Sequence, residues 1–324
     1  MRYPGNKNRR SALGLSALLV CSMPPVTAAV HAQTSAQPGQ MGIQSVKENL
    51  YLLTGEGGNV AALVTVEGVV LVDNMFERNH AAILAAVASF TDQPIRYALN
   101  THQHDDHAGG DRLLLPLADV IAHKNVRANL EDIQQPYYQD DPSLPIGLPN
   151  IVFDDEIILF VGGIETRALW YGQGHTNGDV IVYFPDSKTI HTGDLFLGRR
   201  TATTDQDAGR PGGVNIYVDY AQGGSFLDWT NVLDRVLELD FDTVIPGHGP
   251  VSTKDDVRRF REDLASMRDR IEALIDMGAS KEQVLAVFEA DYGWRSTGCP
   301  PSPPTPGCLQ YQQMDALIDE LSRN

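Results

Sequence analysis

Basic residues are scarce in this 324-residue chain, which has 25 Lys and Arg against 42 Asp and Glu and a formal net charge of −17. A surface this acidic repels phosphate backbones and anionic lipid headgroups. The composition therefore argues against a nucleic-acid partner or a membrane-surface role, and a small-molecule substrate is expected instead. Hydrophobic residues still make up 42% of the chain, which is too much for a disordered protein.

Long apolar runs are also missing, because no segment after residue 32 approaches the roughly 20 apolar residues that a membrane span needs. At the N-terminus, Arg9 and Arg10 precede the apolar run Ala12–Val20, and Val30-His31-Ala32 offers a small-residue cleavage site. This layout is typical of a secretory signal peptide. We predict that residues 1–32 are removed on export to the periplasm or the medium. The Arg pair leaves the twin-arginine export route open.

Cysteine is rare, and only Cys299 and Cys308 would remain in the mature protein, on either side of a proline-rich stretch. In an oxidising compartment the two are predicted to close a short disulfide loop. Two unpaired thiols are the alternative. Neither cysteine has histidines nearby in sequence, so neither is proposed as a metal ligand.

Short apolar segments with turn residues between them predict a strand-rich chain after a polar linker at residues 33–45. Examples are N-L-Y-L-L-T, N-V-A-A-L-V-T-V and V-V-L-V-D, all before residue 74. A helical segment is predicted at 126–133, and the stretches 134–150 and 198–213 are predicted to be surface loops. Strands followed by helices, twice over, predict an α/β sandwich of two sheets with helices outside.

The C-terminal part of the predicted domain, which spans residues 46–324, has a helical pattern from about residue 254 onward. One apolar face recurs at helical spacing and predicts an amphipathic helix packed on a sheet. The residues of this face are Val257, Phe260, Leu264, Met267, Ile271 and Leu274.

Five of the nine histidines fall in short clusters with metal-ligand character, and the densest is T-H-Q-H-D-D-H-A-G-G at residues 101–110. His102 and His104 are two residues apart, so an extended chain points both imidazoles to one side. Asp106 and His107 follow where the chain turns. Three imidazoles and a carboxylate so close together need either solvent or a cation.

Three further candidate ligands each follow a short apolar strand and have a glycine beside them. They are His175 in G-Q-G-H-T-N-G-D, Asp194 in H-T-G-D-L-F and His248 in V-I-P-G-H-G-P. Strand ends of this kind gather at one edge of a sheet sandwich, so these side chains are expected to join the first cluster.

The H-Q-H-D-D-H run, together with these later clusters, resembles the metallo-β-lactamase superfamily of hydrolases over roughly residues 46–264. The resemblance implies an αββα sandwich of two mixed β-sheets flanked by helices, with a two-metal site at its open edge. It implies that His102, His104 and His175 bind the first metal, that Asp106, His107 and His248 bind the second, and that Asp194 bridges the two.

Imidazole and carboxylate ligands suit two Zn²⁺ ions, with iron or manganese as alternatives. Such a pair can share a hydroxide, oriented by Asp106, that attacks a carbonyl carbon. The resemblance therefore implies an exported di-zinc hydrolase that acts on a small ester, lactone or thioester.

Two positions favour this branch over others in the superfamily. Asp194 stands where the best-known lactamases carry a cysteine, in the manner of glyoxalase II-like thioesterases and lactonases. His104 stands where the oxygen-reducing members carry glutamate. A β-lactamase is the first alternative. A mononuclear iron persulfide oxygenase and a catalytically silent metal-binding protein are the lesser ones. The sequence leaves the oligomeric state open.

Other side chains are candidates for substrate contacts. Asn177 is a candidate oxyanion donor, with a turn-forming role as the alternative. Arg199, beside Arg200, is a candidate for binding a substrate carboxylate. Tyr138 is a candidate pocket residue in or near the long loops, together with Tyr137, Tyr217 and Tyr220.

The remaining candidates are supporting residues. Asp73 ends the run V-V-L-V-D and is expected to hydrogen-bond a ligand histidine from behind. His191 is expected to point away from the metals, and His80 and His123 are expected to be structural.

Overall fold

A computed structural model describes residues 41–138, 147–198, 216–292 and 308–323. Several predicted features lie outside the described residues and stay predictions. They are the signal peptide at 1–32, the linker up to residue 40, the side chains of Tyr137 and Tyr138, Arg199 and Arg200, and the Cys299–Cys308 disulfide.

The first sheet has seven strands in the order of the sequence. The first four pair antiparallel, and the last three continue the sheet in parallel. The strands are β1 (Gly42–Lys47), β2 (Leu50–Thr54), β3 (Val60–Thr65), β4 (Gly68–Val72), β5 (Ile95–Leu99), β6 (Asp119–His123) and β7 (Ile151–Phe153).

The second sheet has six strands and is also mixed, since β11 and β12 are parallel and the other pairs are antiparallel. Along the sheet the order runs from β13 back to β8. The strands are β8 (Glu156–Val161), β9 (Ile164–Trp170), β10 (Val180–Phe184), β11 (Thr189–His191), β12 (Thr243–Ile245) and β13 (Ser252–Thr253).

Helices cover the outer faces of the two sheets. Eight helices lie in the described part of the chain: α1 (His80–Ala88), α2 (Asp105–Ala108), α3 (Asp111–Leu114), α4 (Lys124–Tyr138), α5 (Phe226–Glu238), α6 (Lys254–Asp276), α7 (Lys281–Tyr292) and α8 (Cys308–Leu321). Short 3-10 turns span Glu77–Asn79, Pro185–Ser187, Gly193–Leu195 and Tyr220–Gln222.

Three apolar layers hold this arrangement together. Between the sheets, residues such as Leu52 and Val72 meet Val182 and Phe184. The outer face of the first sheet packs against α1, and that of the second sheet packs against α5 to α8. The architecture is therefore helix, sheet, sheet, helix, and the predicted fold class is confirmed.

The amphipathic face predicted in the C-terminal region is confirmed in α6, where all six of its apolar residues are buried. The helix begins at a capping box, in which the Thr253 hydroxyl accepts from the Asp256 backbone and the Asp256 carboxylate accepts from the Thr253 backbone. This cap satisfies amide groups that have no partner within the first turn.

Two sequence predictions about boundaries were wrong. The linker assigned to residues 33–45 overlaps β1, which begins at Gly42 and pairs with β2. No residue of this edge strand is buried and the strand lacks apolar alternation, so only its pairing identifies it. The loop assigned to 134–150 begins too early, because α4 continues to Tyr138. Gln134 and Gln135 favour helix, whereas Pro136 disfavours it, and the helix ends two residues later.

In the described part of the chain, no helix combines the length and the apolar composition needed to cross a membrane.

Asp111 is a buried carboxyl group that makes folding depend on pH. It accepts hydrogen bonds from Asn74 Nδ2 at 2.6 Å and from Asn100 Nδ2 at 2.5 Å. Burial nevertheless raises the pKa of Asp111 from 3.8 to about 8. The folded state therefore holds the proton more tightly than the unfolded chain does.

We expect the stability that this proton contributes to be complete below pH 3.8 and to be lost as pH rises through about 8. Between pH 5 and pH 8 the unfolding free energy should fall by at most about 1.4 kcal/mol per pH unit from this group. Urea unfolding at several pH values measures the effect. Asp111→Asn cannot titrate, so its curve should be flatter, and an unchanged slope would contradict the prediction.

Candidate metal centre

The structure gathers all seven predicted ligands at one edge of the sandwich. His102 and its neighbours follow β5, His175 follows β9, Asp194 follows β11 and His248 follows β12. Their ligand atoms form three overlapping groups in which every atom lies within 4.8 Å of the others. We call His102, His104 and His175 the first group, and Asp106, His107 and His248 the second group. The remaining set, His102, His107 and Asp194, overlaps both.

The first group consists of three imidazoles whose ring nitrogens face one another. His104 Nδ1 lies 3.1 Å from His102 Nε2 and 3.0 Å from His175 Nε2. A tetrahedral zinc site with bonds of about 2.0–2.1 Å has neighbouring ligand atoms about 3.3–3.4 Å apart. The spacing of the three nitrogens is thus close to that of ligands on a common ion.

Hydrogen bonds behind two of these rings determine which nitrogen is free. His104 Nε2 lies 2.8 Å from Asp219 Oδ2, and His175 Nδ1 lies 2.6 Å from the Tyr217 carbonyl oxygen. Both oxygens can only accept, so these nitrogens carry the hydrogens. In the neutral imidazoles, His104 Nδ1 and His175 Nε2 therefore carry lone pairs, and these lone pairs face each other.

The same logic applies to His102. The Thr101 hydroxyl donates to Asp73 Oδ2 at 2.8 Å, so its oxygen accepts from His102 Nδ1 at 3.1 Å. His102 Nε2 is then the third lone pair in the group. Three lone pairs at this spacing repel one another unless a cation lies between them.

The second group combines a carboxylate with two imidazoles. His248 Nε2 lies 3.1 Å from Asp106 Oδ2 and 3.3 Å from His107 Nε2. On the opposite side of the His107 ring, Nδ1 donates to the buried Asp73 carboxylate at 2.8 Å. This bond leaves His107 Nε2 directed into the group.

Asp194 lies between the two groups. Its Oδ2 is 3.7 Å from His175 Nε2, and its Oδ1 is 3.2 Å from His107 Nε2 and 3.6 Å from His248 Nε2. Oδ1 is buried and has no properly oriented hydrogen-bond donor among the described residues. A buried anionic oxygen without a donor costs free energy, and a bound cation would remove that cost.

The pKa shifts of His102, His175 and Asp194 fit a role of these side chains as metal ligands. Burial, and then repulsion by the other imidazoles, hold the pKa of His102 well below its usual range, and burial is the main reason that the pKa of His175 falls to about 4. Both rings are therefore neutral and available as ligands. Burial alone would raise the pKa of Asp194, but His107 and His248 outweigh it and hold that pKa well below its usual range.

Two glycines make room for the ligands: Gly247, in the V-I-P-G-H-G-P motif, and Gly58, which follows β2. A Cβ at Gly247 would lie 2.0 Å from Asp194 Oδ1, and one at Gly58 would lie 2.3 Å from His107 Cε1. Real Cβ atoms do not approach other atoms so closely. Any side chain at either position would displace a ligand.

Two carboxylates orient the ligands from outside. Asp73, which the sequence predicted in this role, bonds His107, whereas Asp219 bonds His104 and was missed. Asp219 also ends a short apolar segment, I-Y-V-D. A search for acidic residues at the ends of short apolar segments would have identified it as a candidate.

The candidates for substrate contacts have different surroundings in the structure. Asn177 lies against α4, where its Oδ1 accepts from Asn129 Nδ2 at 2.8 Å and its carbonyl accepts from Asn125 Nδ2. These bonds fit a structural role, and the oxyanion role stays a prediction.

The Tyr217 ring lies beside the His104 and His175 rings. Tyr220, predicted to line a pocket, instead donates its hydroxyl to Glu320.

Two other histidines, His191 and His123, have partners outside the ligand groups. His191 Nε2 lies 3.1 Å from the Asn59 carbonyl oxygen, and its Nδ1 accepts from the Gly193 amide. His123 stacks on Trp170 with a ring separation of 4.8 Å. His191 thus points away from the centre, as predicted, and the packing of His123 fits the structural role predicted for it.

The donor set as a whole fits divalent metal ions. Imidazole nitrogens from five histidines and the carboxylates of Asp106 and Asp194 converge there. Imidazole and carboxylate ligands are typical of first-row transition ions such as zinc, iron and manganese.

The known proteins that this chain resembles include several of low identity. The alpha subunit of 2,4-dinitroanisole O-demethylase from Nocardioides sp. (strain JS1661) is 23% identical over 210 residues, 64% of this chain and 57% of that protein. Metallo-beta-lactamase type 2 from Elizabethkingia meningoseptica is 27% identical over 158 residues, 46% of this chain and 59% of that one. Hydroxyacylglutathione hydrolase from Crocosphaera subtropica is 25% identical over 150 residues, 46% and 48% of the two chains. The chain thus spans about half to three fifths of the length of these relatives.

Among solved structures, a metallo-beta-lactamase from Pontibacter korlensis superposes with a TM-score of 0.54 at 18% identity, covering 70% of this chain and 99% of that one. At this identity the likeness shows the fold alone. The profile of the metallo-beta-lactamase superfamily matches residues 53–248, a stretch that contains all seven converging side chains. Because that match covers more than half of the sequence, the chain belongs to the metallo-beta-lactamase superfamily.

Proposed function

We propose that this protein is an exported di-zinc hydrolase that cleaves a small ester, lactone or thioester. The observation that carries the proposal is the Asp194 carboxylate between two ligand groups, each with three side chains of its own. A carboxylate shared by two histidine-containing groups suits two metal ions of the same kind. Zn²⁺ accepts both imidazole and carboxylate ligands.

The chain's own residues prepare this centre. Asp219, the Tyr217 carbonyl and Thr101 fix the rings of the first group, and Asp73 fixes His107 in the second. Such partners fix the tautomer of each imidazole and raise its basicity. Two divalent ions bound there would supply a nucleophile from water near neutral pH and polarise a carbonyl oxygen.

The substrate class rests on the ligand set and on one relative. No cysteine occurs between residues 53 and 248, since the cysteines of the chain are at positions 21, 299 and 308. One relative is a hydrolase of hydroxyacylglutathione by name. Both points favour an ester, lactone or thioester substrate.

A β-lactamase is the second candidate. A relative with that name supports it, and so does the predicted signal peptide, because export would bring the enzyme to where cell-wall antibiotics act. The oxygenase alternative is weakened by His104, which supplies a third imidazole to the first group.

The test is metal content by elemental analysis, paired with a hydrolysis panel on the same mature protein. The panel contains a thioester, a lactone, a chromogenic β-lactam and a phosphodiester. Two zinc ions per chain and turnover of the thioester or lactone are the expected result. Chelator-treated protein should be inactive and should recover with added Zn²⁺.

Three results would overturn parts of the proposal. Turnover of the β-lactam alone would favour the second candidate. One iron ion without hydrolysis would favour an oxygenase, and full activity in metal-free protein would refute a metal-dependent reaction.

A further inference from the structure

A short segment, Tyr217–Asp219, supports two of the three imidazoles in the first ligand group. The Tyr217 carbonyl accepts from His175 Nδ1, and Asp219 Oδ2 bonds His104 Nε2. The Asp219 amide also donates to the His175 carbonyl at 2.8 Å. The position of this segment therefore sets the orientation of both rings.

The C-terminal helix α8 contacts this segment and the turn that follows it. Gln313 Oε1 accepts from the Val218 amide at 2.9 Å. Glu320 Oε2 accepts from the Tyr220 hydroxyl at 2.7 Å, and Glu320 Oε1 accepts from the Ser225 hydroxyl at 2.6 Å. Two residues of α8 thus bond the chain immediately before and after Asp219.

The Glu320 carboxylate is well placed to act as an anchor. It also accepts from the Phe226 amide at 3.1 Å, at the N-terminus of the 13-residue helix α5. Ser225 caps that helix by accepting from the Asp228 amide. A negative charge is favourable at a helix N-terminus, and hydrogen bonds to a charged acceptor are stronger than neutral ones.

Apolar packing fixes α8 itself. Leu317 and Leu321 lie on the same helix as Glu320 and are 3% and 6% exposed in the core that α5 and α6 share. Burial of the two leucines stabilises the packed position of the helix. The helix therefore offers a firm support for a polar contact.

We propose that Glu320 and Gln313 are positioning residues for the metal centre and act through the Tyr217–Asp219 segment on His104 and His175. Both lie beyond residues 53–248, so the superfamily match does not include them. The inference rests on the proposed metal centre. It assigns α8 a role in metal affinity in addition to its role in packing.

The first experiment measures Zn²⁺ affinity by competition with a chromophoric chelator, together with the visible spectrum of the Co²⁺-loaded protein. Glu320→Ala should weaken the binding of one Zn²⁺ by about 10-fold, the lower end for partners of metal ligands, and should shift the Co²⁺ bands. Glu320→Gln, which keeps one acceptor oxygen, should have a smaller effect. Asp319→Asn is the matched control, since Asp319 is the neighbouring exposed acid and its loss should change neither readout.

The second experiment asks whether Glu320 acts through Asp219. Each single variant, Asp219→Asn and Glu320→Ala, is compared with the double variant. If Glu320 acts through Asp219, the fold-loss of Zn²⁺ affinity in the double variant should be smaller than the product of the two single fold-losses. Multiplicative losses would refute the proposed route, and wild-type affinity with an unchanged Co²⁺ spectrum in Glu320→Ala would refute the role of α8.

Folding and metal binding are kept apart by measuring thermal unfolding of each metal-free variant. If Glu320→Ala does not fold, Glu320→Gln and Gln313→Ala carry the same comparison. Wild-type protein that binds no Zn²⁺ would refute the metal centre itself. Tight binding by the wild type with unaffected variants would refute only the positioning role.

Discussion

Asp194→Ala is expected to abolish turnover of whichever panel substrate the wild type hydrolyses, with kcat/KM lower by about 10³-fold or more. Asp194 is the side chain that both ligand groups share, so its loss disturbs both ions together. Metal ions contribute several kcal/mol of transition-state stabilisation, and each 1.36 kcal/mol corresponds to about tenfold in rate.

Metal content should fall together with activity in this variant. Elemental analysis is expected to give fewer than two zinc ions per chain, and kinetics on the same sample give kcat and KM. Asp186→Asn, at an exposed position in the Pro185–Ser187 turn, is the charge-matched control and should behave as wild type. An Asp194→Ala protein with wild-type turnover and metal content would contradict the bridging role.

Asp73→Ala is expected to lower the free energy of unfolding by about 3–5 kcal/mol, the usual result of breaking a buried charged pair. Asp73 is fully buried and accepts three hydrogen bonds of 2.8 Å, from the Thr101 amide, the Thr101 hydroxyl and His107 Nδ1. Alanine would leave all three donors without a partner. It would also adopt the positive φ of 62° less readily than Asp does.

Urea unfolding of the metal-free protein measures this effect. Asp73→Asn keeps the shape of the side chain and tolerates the left-handed backbone, so its loss should be smaller, about 1–3 kcal/mol. An Asp73→Ala protein with the wild-type unfolding midpoint would contradict the prediction. Zn²⁺ affinity should also fall in both variants, since His107 loses the partner that fixes its tautomer.

Much of the site was predictable because its signals are local. His102 and His104 are two residues apart in an extended segment, and Asp194 and His248 each follow a short apolar strand. Strand ends converge at a sheet edge, so candidate ligands far apart in the chain can be placed together from their local patterns. The apolar face of α6 was predictable for the same reason, because helical periodicity is a property of neighbouring residues.

The sequence by itself therefore determined the fold class and the group of side chains that gather at the open edge. Only the tertiary structure decided that Gly42–Lys47 forms a strand, that Asp219 orients His104, and that Glu320 of α8 bonds Tyr220 and Ser225. The physical reason is the range of the interactions. Periodicity and turn chemistry act within a few residues, whereas Glu320 and Ser225 are 95 residues apart and meet only when the helices pack.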